Sequence, residues 1–173
     1  AGYTWNNDYG TFRVGLDYTH IDEFVVDIPG LDLGLQATGK MDAAGVDGEQ
    51  NIVRPVPDNR GNISFSWAKE NHRVSVFNRH IGSFQVLSHD DFMANPNSAE
   101  ANKAYAKSMT DSYNTWDIQY AYTRDWGNSS SIFTVGVIDA TNEDIPLYRR
   151  QAYHSSVYDP RGRRWYARVL WQF

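Results

Sequence analysis

Catalysis needs a nucleophile, an acid–base pair or a ligand set at workable spacing, and this chain of 173 residues carries few such groupings. His89, Asp90 and Asp91 stand together and could touch a metal ion, as could His20 with Asp22. Both are lone clusters in polar stretches, where solvation is the ordinary role. Asp42 and Asp47, in MDAAGVDGEQ, lack the regular oxygen-ligand spacing of a calcium loop. No nucleophile motif or phosphate-cradling loop occurs. The absence of cysteine removes thiolate zinc sites, cysteine nucleophiles and disulfides together. The residues thus point away from an enzyme, with no cofactor or metal expected. What recurs instead is a set of charged residues, Arg13, Asp17, Arg73, Arg79, Asp117, Arg164 and Arg168, each at an alternate position of an amphipathic segment.

Those segments are strands by their period of two, which sends successive side chains to opposite faces. In residues 11–19, Phe12, Val14, Leu16 and Tyr18 oppose Arg13, Gly15, Asp17 and Thr19. In residues 62–67, Ile63, Phe65 and Trp67 oppose Asn62, Ser64 and Ser66; in residues 115–123, Trp116, Ile118, Tyr120 and Tyr122 oppose Asp117, Gln119, Ala121 and Thr123. The C-terminus sets Trp165, Ala167, Val169, Trp171 and Phe173 against Arg164, Tyr166, Arg168, Leu170 and Gln172. Residues 73–81 and 132–140 read as strands too, although Phe77, Ile132 and Ile138 fall on the polar face. The alternation predicts strands near 11–27, 60–68, 72–82, 114–124, 131–140 and 163–173, plus a short one in residues 1–5, seven in all, pairing antiparallel in sequence order. On one face should lie Phe12, Leu16, Phe65, Trp67, Ile118, Tyr120, Val169 and Trp171.

Connections alternate in length. NNDYG (6–10), AKENH (68–72) and DWGNSS (125–130) are short polar turns, whereas residues 29–60, 83–114 and 141–162 are long and rich in Asp, Asn, Gly and Ser. A helix-prone patch at 99–107 follows the caps Asn97 or Ser98. Loops longer than about 12–15 residues are uncommon in compact soluble domains, whereas short turns on one side and long loops on the other are how outer-membrane barrels are built. No apolar run approaches the length of a membrane helix, and the mean hydropathy is −0.59. In a β-barrel, however, polar lumen-facing residues dilute the apolar ones, so this average says nothing against one. The net charge of −5 argues against a nucleic-acid partner. An aromatic content of 14%, with 6 Trp and 11 Tyr, suits interfacial girdles, and Trp165 and Trp171 with Phe173 fall toward opposite ends of the last strand.

The end of the chain, FTVGVIDATNEDIPLYRRQAYHSSVYDPRGRRWYARVLWQF, resembles the end of a TonB-dependent receptor. That family's penultimate strand carries G-V-x-N-L-F-D-x-x-P-P, and its last strand opens with Y-D-x-x-G-R and ends in Phe. Gly136, Val137, Glu143 and Pro146 fit the first pattern, with Asp139, Ala140, Thr141 and Asn142 in place of Asn-Leu-Phe-Asp and Ile145 for the first Pro. Tyr158, Asp159, Gly162, Arg163 and Phe173 fit the second. Upstream, RGNISFSWAKENHRVSVFNRHIGSF resembles the family's strand, turn and strand, and NTWDIQYAY its next strand.

This resemblance implies an all-β fold, the C-terminal portion of a 22-stranded transmembrane barrel whose lumen holds a plug absent from residues 1–173. It implies an active importer of a scarce small ligand, such as a siderophore or other metal chelate, with energy from the TonB complex. The implied partners are outer-membrane lipid, the missing plug and remaining barrel, the TonB complex through the missing N-terminal part, and the barrel-assembly machinery. That machinery would read Val169, Trp171 and Phe173 as its signal, with the C-terminus in the periplasm. The charged residues would then face the lumen, where the arginines could attract an anionic substrate or pair with the plug or with Asp17 and Asp117. The structural role is favoured because the plug fills the lumen. A small autonomous barrel, acting as adhesin or channel, and a soluble carbohydrate-binding β-domain are the alternatives.

Overall fold

A computed structural model of the chain describes residues 1–27, 40–42, 46–48, 56–87, 110–147 and 156–173. It is all-β, with strands β1 (Gly2–Asn7), β2 (Gly10–His20), β3 (Val25–Asp27), β4 (Lys40–Asp42), β5 (Val46–Gly48), β6 (Asn59–Lys69), β7 (His72–Ile81), β8 (Gln85–Leu87), β9 (Tyr113–Asp125), β10 (Ser130–Ile138) and β11 (Arg164–Gln172). There is no helix among the described residues, and so none long and apolar enough to cross a membrane. The helix-prone patch at 99–107 lies outside them.

Seven strands form one sheet in the order β1, β2, β6, β7, β9, β10, β11, every neighbouring pair antiparallel. This is the meander that short turns impose, since a tight hairpin can join only adjacent antiparallel strands. The sheet is open, with β1 and β11 at its edges. Two small sheets, β3 with β4 and β5 with β8, stand apart from it.

One expected strand is too long. Residues 11–27 do not run through as one strand: β2 stops at His20, and Val25–Asp27 pairs with Lys40–Asp42 instead. The cause is the partner. Strand β2 pairs with β6 only as far as His20 opposite Asn59, one further bond joins the Ile21 N–H to the Asp58 carbonyl, and next comes the buried Pro57, which has no N–H to donate.

The ladders are unbroken, so each row across the sheet keeps its face. One row joins Phe12, Trp67, Val74, Tyr120, Val135 and Ala167; the next on the same side joins Val14, Phe65, Val76, Ile118, Val137 and Trp165. On the opposite side, one row joins Thr4, Arg13, Ser66, Ser75, Gln119, Gly136 and Tyr166. All eight residues expected to share the apolar face do so by register. Phe77, Ile132 and Ile138 lie on the polar face, opposite Asp117, Thr123 and Arg164 respectively.

Much of the apolar face is open among the described residues, with Val135 54% exposed, Leu16 47%, Ile63 46% and Val169 61%, although Val137 and Ser131 on it are buried, the latter under Trp126. The apolar core sits on the other side. Phe84, Tyr113 and Tyr158 are buried together with Ile81, Ile145 and Val157 against them, and Tyr113 is paired with Ile81 in the polar-face register. Tyr158 meets Tyr113 edge-on at 5.2 Å between centroids and stacks on Phe84 at 6.3 Å. The described pieces of the connections that carry Phe84, Ile145, Val157 and Tyr158 therefore lie over the polar face, at the end of the sheet away from the short turns.

Candidate functional site

Register places Arg13, Asp17, Arg73, Arg79, Asp117, Arg164 and Arg168 on the polar face, every one of the charged residues singled out in the sequence. They do not form one cluster. At the loop end, Arg79 on β7 pairs with Asp117 on the neighbouring β9, and Asp117 Oδ1 also accepts the Asp139 N–H at 3.0 Å. Asp139 has a positive φ of 52° where β10 ends, and its Oδ1 accepts from Glu143 N–H at 3.1 Å and Thr141 Oγ1 at 3.3 Å. Its Oδ2 is buried without a hydrogen-bond partner.

The segment before β11 closes the other side of this network. Arg161 makes a two-pronged contact to Asp159, Nε to Oδ1 at 2.8 Å and Nη2 to Oδ2 at 2.9 Å, and Arg164 Nη2 reaches Oδ2 at 2.8 Å. Hydrogen bonds from Arg161, reinforced by Arg164, hold the Asp159 carboxyl far below the usual carboxylate range. Burial pushes the neighbouring Tyr158 phenol up. Between the two groups lies a cleft of about 350 Å³ lined by Arg79, Asp117, Asp139, Asp159 and Arg164 with Tyr113 at its side. Two guanidinium groups and three carboxyl groups line it, which suits a polar ligand, and none of these five is a nucleophile poised beside a base.

The two resembling motifs meet here. Asn142, with φ of 54°, accepts the Arg163 N–H on Oδ1 at 3.1 Å, beside Gly162 at φ 59°. Asp139 was visible in the sequence only as a departure from a pattern; its role came from where β10 ends. Asp159 was visible as part of Y-D-x-x-G-R, but its arginine partners were not.

At the turn end, Arg13, Arg73 and Arg168 have no ion pair among the described residues, and neither does Asp17, which lies in the Arg79 row toward the loops. Tyr166 leans across Gly136, where a Cβ would lie 2.6 Å from its ring, and donates its hydroxyl to Gln119 Oε1 at 2.8 Å. This fills the gap left by glycine and ties three strands on the polar face.

The apolar face ends in polar-tipped rings at both margins. Toward the loops, Tyr18 and His20 both meet Asn59 Oδ1, and His80 Nδ1 lies 2.9 Å from Asn114 Oδ1. Toward the turns, His72 Nδ1 lies 2.6 Å from the Tyr120 hydroxyl, and Trp126 stacks on Trp171 under the Arg124 guanidinium. Five of the 6 tryptophans, Trp5, Trp67, Trp116, Trp165 and Trp171, lie on this face by register, and the sixth is Trp126. Sequence reading treated Trp126 as a turn residue only. Val169 and Trp171 lie in the same face, and Phe173 follows β11 fully exposed.

The metal candidates gain little. His20 Nε2 is 2.9 Å from Asp22, but its Nδ1 is engaged by Asn59, and no group of three metal-ligating residues occurs among the described residues. Asp42 and Asp47 fall in β4 and β5, while His89, Asp90 and Asp91 lie outside the described residues. No family model, curated protein or solved structure matches the chain.

Proposed function

We propose that this chain forms part of the wall of an outer-membrane β-barrel receptor of the TonB-dependent kind. The observation that carries the reading is the largely open apolar face with every strand tryptophan on it. Seven strands spaced about 4.8 Å apart make that face about 30 Å across, more than a monomeric soluble protein ordinarily leaves open. Strands β2, β6, β7, β9, β10 and β11 have 9 to 13 residues, near the about 9–11 that cross a bilayer when tilted. Rings of Trp, Tyr and His at both margins suit the two lipid interfaces.

In this reading the polar face lines the lumen, the short turns lie in the periplasm with the C-terminus, and the long connections face outward. The edges β1 and β11 pair with the remaining barrel, because lipid tolerates no open sheet edge. The loop-end cleft, lined by two arginines and three aspartates, contributes to the surface that meets a small polar ligand such as a metal chelate. Transport energy comes from the TonB complex acting through a plug, and the chain itself performs no catalytic step. The meeting of Asn142 with Arg163 supports the family resemblance, since it joins the two motif regions in space.

Fluorescence of the tryptophans in vesicles whose acyl chains carry bromine tests the reading. Strong quenching by the brominated chains is expected. A folded chain that stays monomeric in plain buffer, with unquenched tryptophans, would instead place it among soluble β-domains.

A further inference from the structure

At the turn end of the apolar face one cation is held on an aromatic plate. By register Arg124, Ser131 and Trp171 form the outermost row there. Trp126, in the turn after β9, folds back over that row. Its Nε1 donates to Ser131 Oγ at 2.7 Å, its ring stacks on Trp171 at 6.1 Å between centroids, and the Arg124 guanidinium stands 4.3 Å from the ring centre. Ser131 beneath is fully buried. The turn itself is closed by the Trp126 N–H on the Ser129 carbonyl at 2.8 Å, with Gly127 in left-handed backbone at φ 84°. The chain thus fixes the plate, and Arg124 rests on it exposed to the outside.

A guanidinium over a ring keeps its edge N–H donors, a planar fork that matches phosphate oxygens two at a time. Arg124 has no ion pair among the described residues. Its surroundings on this face supply no carboxylate either. The three rows nearest the turn contain Arg124, Lys69 and His72, and neither Asp nor Glu is paired into them. Of the acids close by in sequence or space, Asp125 is paired with Ser130 on the polar side, and Glu70 lines the polar-face cleft with Arg73. Lys69 Nζ already donates to the Asp8 carbonyl at 2.9 Å, which leaves Arg124 the better placed of the two cations.

We propose that Arg124, seated on Trp126, binds the phosphodiester of an anionic phospholipid headgroup in the turn-side leaflet. The inference rests on the membrane reading and adds a headgroup chemistry to it. A lipid phosphodiester lies just outside the hydrocarbon, at the level where interfacial aromatic rings sit, so Trp126 and Trp171 would lie against the start of the acyl chains. A zwitterionic headgroup would bring its own ammonium beside the guanidinium, with no carboxylate on this face to receive it. A phosphatidylglycerol headgroup carries no cation and avoids that repulsion.

For the test the full chain is reconstituted into vesicles of phosphatidylglycerol and phosphatidylcholine in equal parts, with bromine on the acyl chains of one lipid and then of the other. Quenching with both lipids brominated reports insertion alone, for the parent and for each variant. The ratio of the two single-label samples reports headgroup preference at the tryptophans. The parent should prefer phosphatidylglycerol about fivefold, and less as salt rises. Arg124→Gln should remove most of that preference, and Arg124→Lys, which keeps the charge and loses the fork, should retain part of it. Arg73→Gln, also toward the turns but on the polar face, should leave it intact. Equal quenching by the two labels in the parent, or an unchanged ratio in Arg124→Gln, overturns the proposal and leaves the membrane reading standing as long as the doubly brominated vesicles still quench. Loss of the preference in inorganic phosphate, but not in chloride of the same ionic strength, also overturns it, in favour of a small-anion site. Unquenched tryptophans in doubly brominated vesicles overturn both readings.

Discussion

Asn142 Oδ1 accepts the backbone N–H of Arg163 across 21 residues of chain, at 3.1 Å. The contact fixes where the connection leaving β10 returns to begin β11. Both sides depend on left-handed backbone, Asn142 at φ 54° and Gly162 at φ 59°, and a Cβ on Gly162 would lie 3.3 Å from that same Oδ1. Asn142→Ala loses the acceptor and strains the backbone, so it should cost about 1–2 kcal/mol. Asn142→Asp keeps both and should cost much less. Urea unfolding in micelles, followed by tryptophan emission, measures the pair; equal losses would mean the hydrogen bond contributes nothing.

Lysine placed on the two faces separates the lipid reading from the soluble one. Val135 and Ser66 belong to neighbouring rows, the first on the apolar face and the second on the polar one. In a bilayer, Val135→Lys should destabilise by about 2–4 kcal/mol near the midplane, while Ser66→Lys changes little. If the folding free energy in vesicles is the same for both variants, the apolar face is not in lipid.

Asp159 makes a contribution that depends on pH. Its folded carboxyl lies below the usual value because of hydrogen bonds from Arg161 and then Arg164. A depressed folded pKa stabilises above the unfolded value of about 3.9 and loses that stabilisation as pH falls toward the folded value. The stability difference between the parent chain and Asp159→Asn should therefore be flat from neutral pH down to about pH 5 and shrink below about pH 4. Denaturation midpoints against pH check this, and a difference that grows on acidification would reverse the sign of the argument. The carboxylate is 42% exposed, so salt should weaken the effect.

Phe173 and Gln172 are adjacent but follow opposite faces. Gln172 is paired with Ser130 on the polar side and accepts from its hydroxyl at 3.3 Å, while Phe173 is fully exposed beyond Trp171. If the barrel-assembly machinery reads the last aromatic, deleting Phe173 or replacing it with Asp should lower outer-membrane yield far more than Gln172→Asp. A charge near the interface costs only about 0–1 kcal/mol, so a large loss would come from assembly and not from stability. Heat-modifiable barrel in outer-membrane fractions is the measurement, and matching yields would remove the role given to this terminus.

The sequence by itself determined the seven strands of the main sheet and which of their side chains share a face, because a period of two is local and each of these ladders is free of slips. The three-residue strands β4, β5 and β8, inside stretches read as loops, are too short to show a period. Even Phe77, Ile132 and Ile138, apolar residues against the pattern, lie where their parity put them. The order of strands followed from the short turns. Tertiary structure decided what depends on residues meeting from afar. It ended β2 at His20, because Pro57 precedes its partner strand, and it paired Arg79 with Asp117 and Arg164 with Asp159 while leaving Arg13, Arg73 and Arg168 without an ion pair among the described residues. It also set the Phe84, Tyr113 and Tyr158 core on the polar side. Parity assigns a face, but only register and the return path of each connection bring a charge or a ring within reach of its partner.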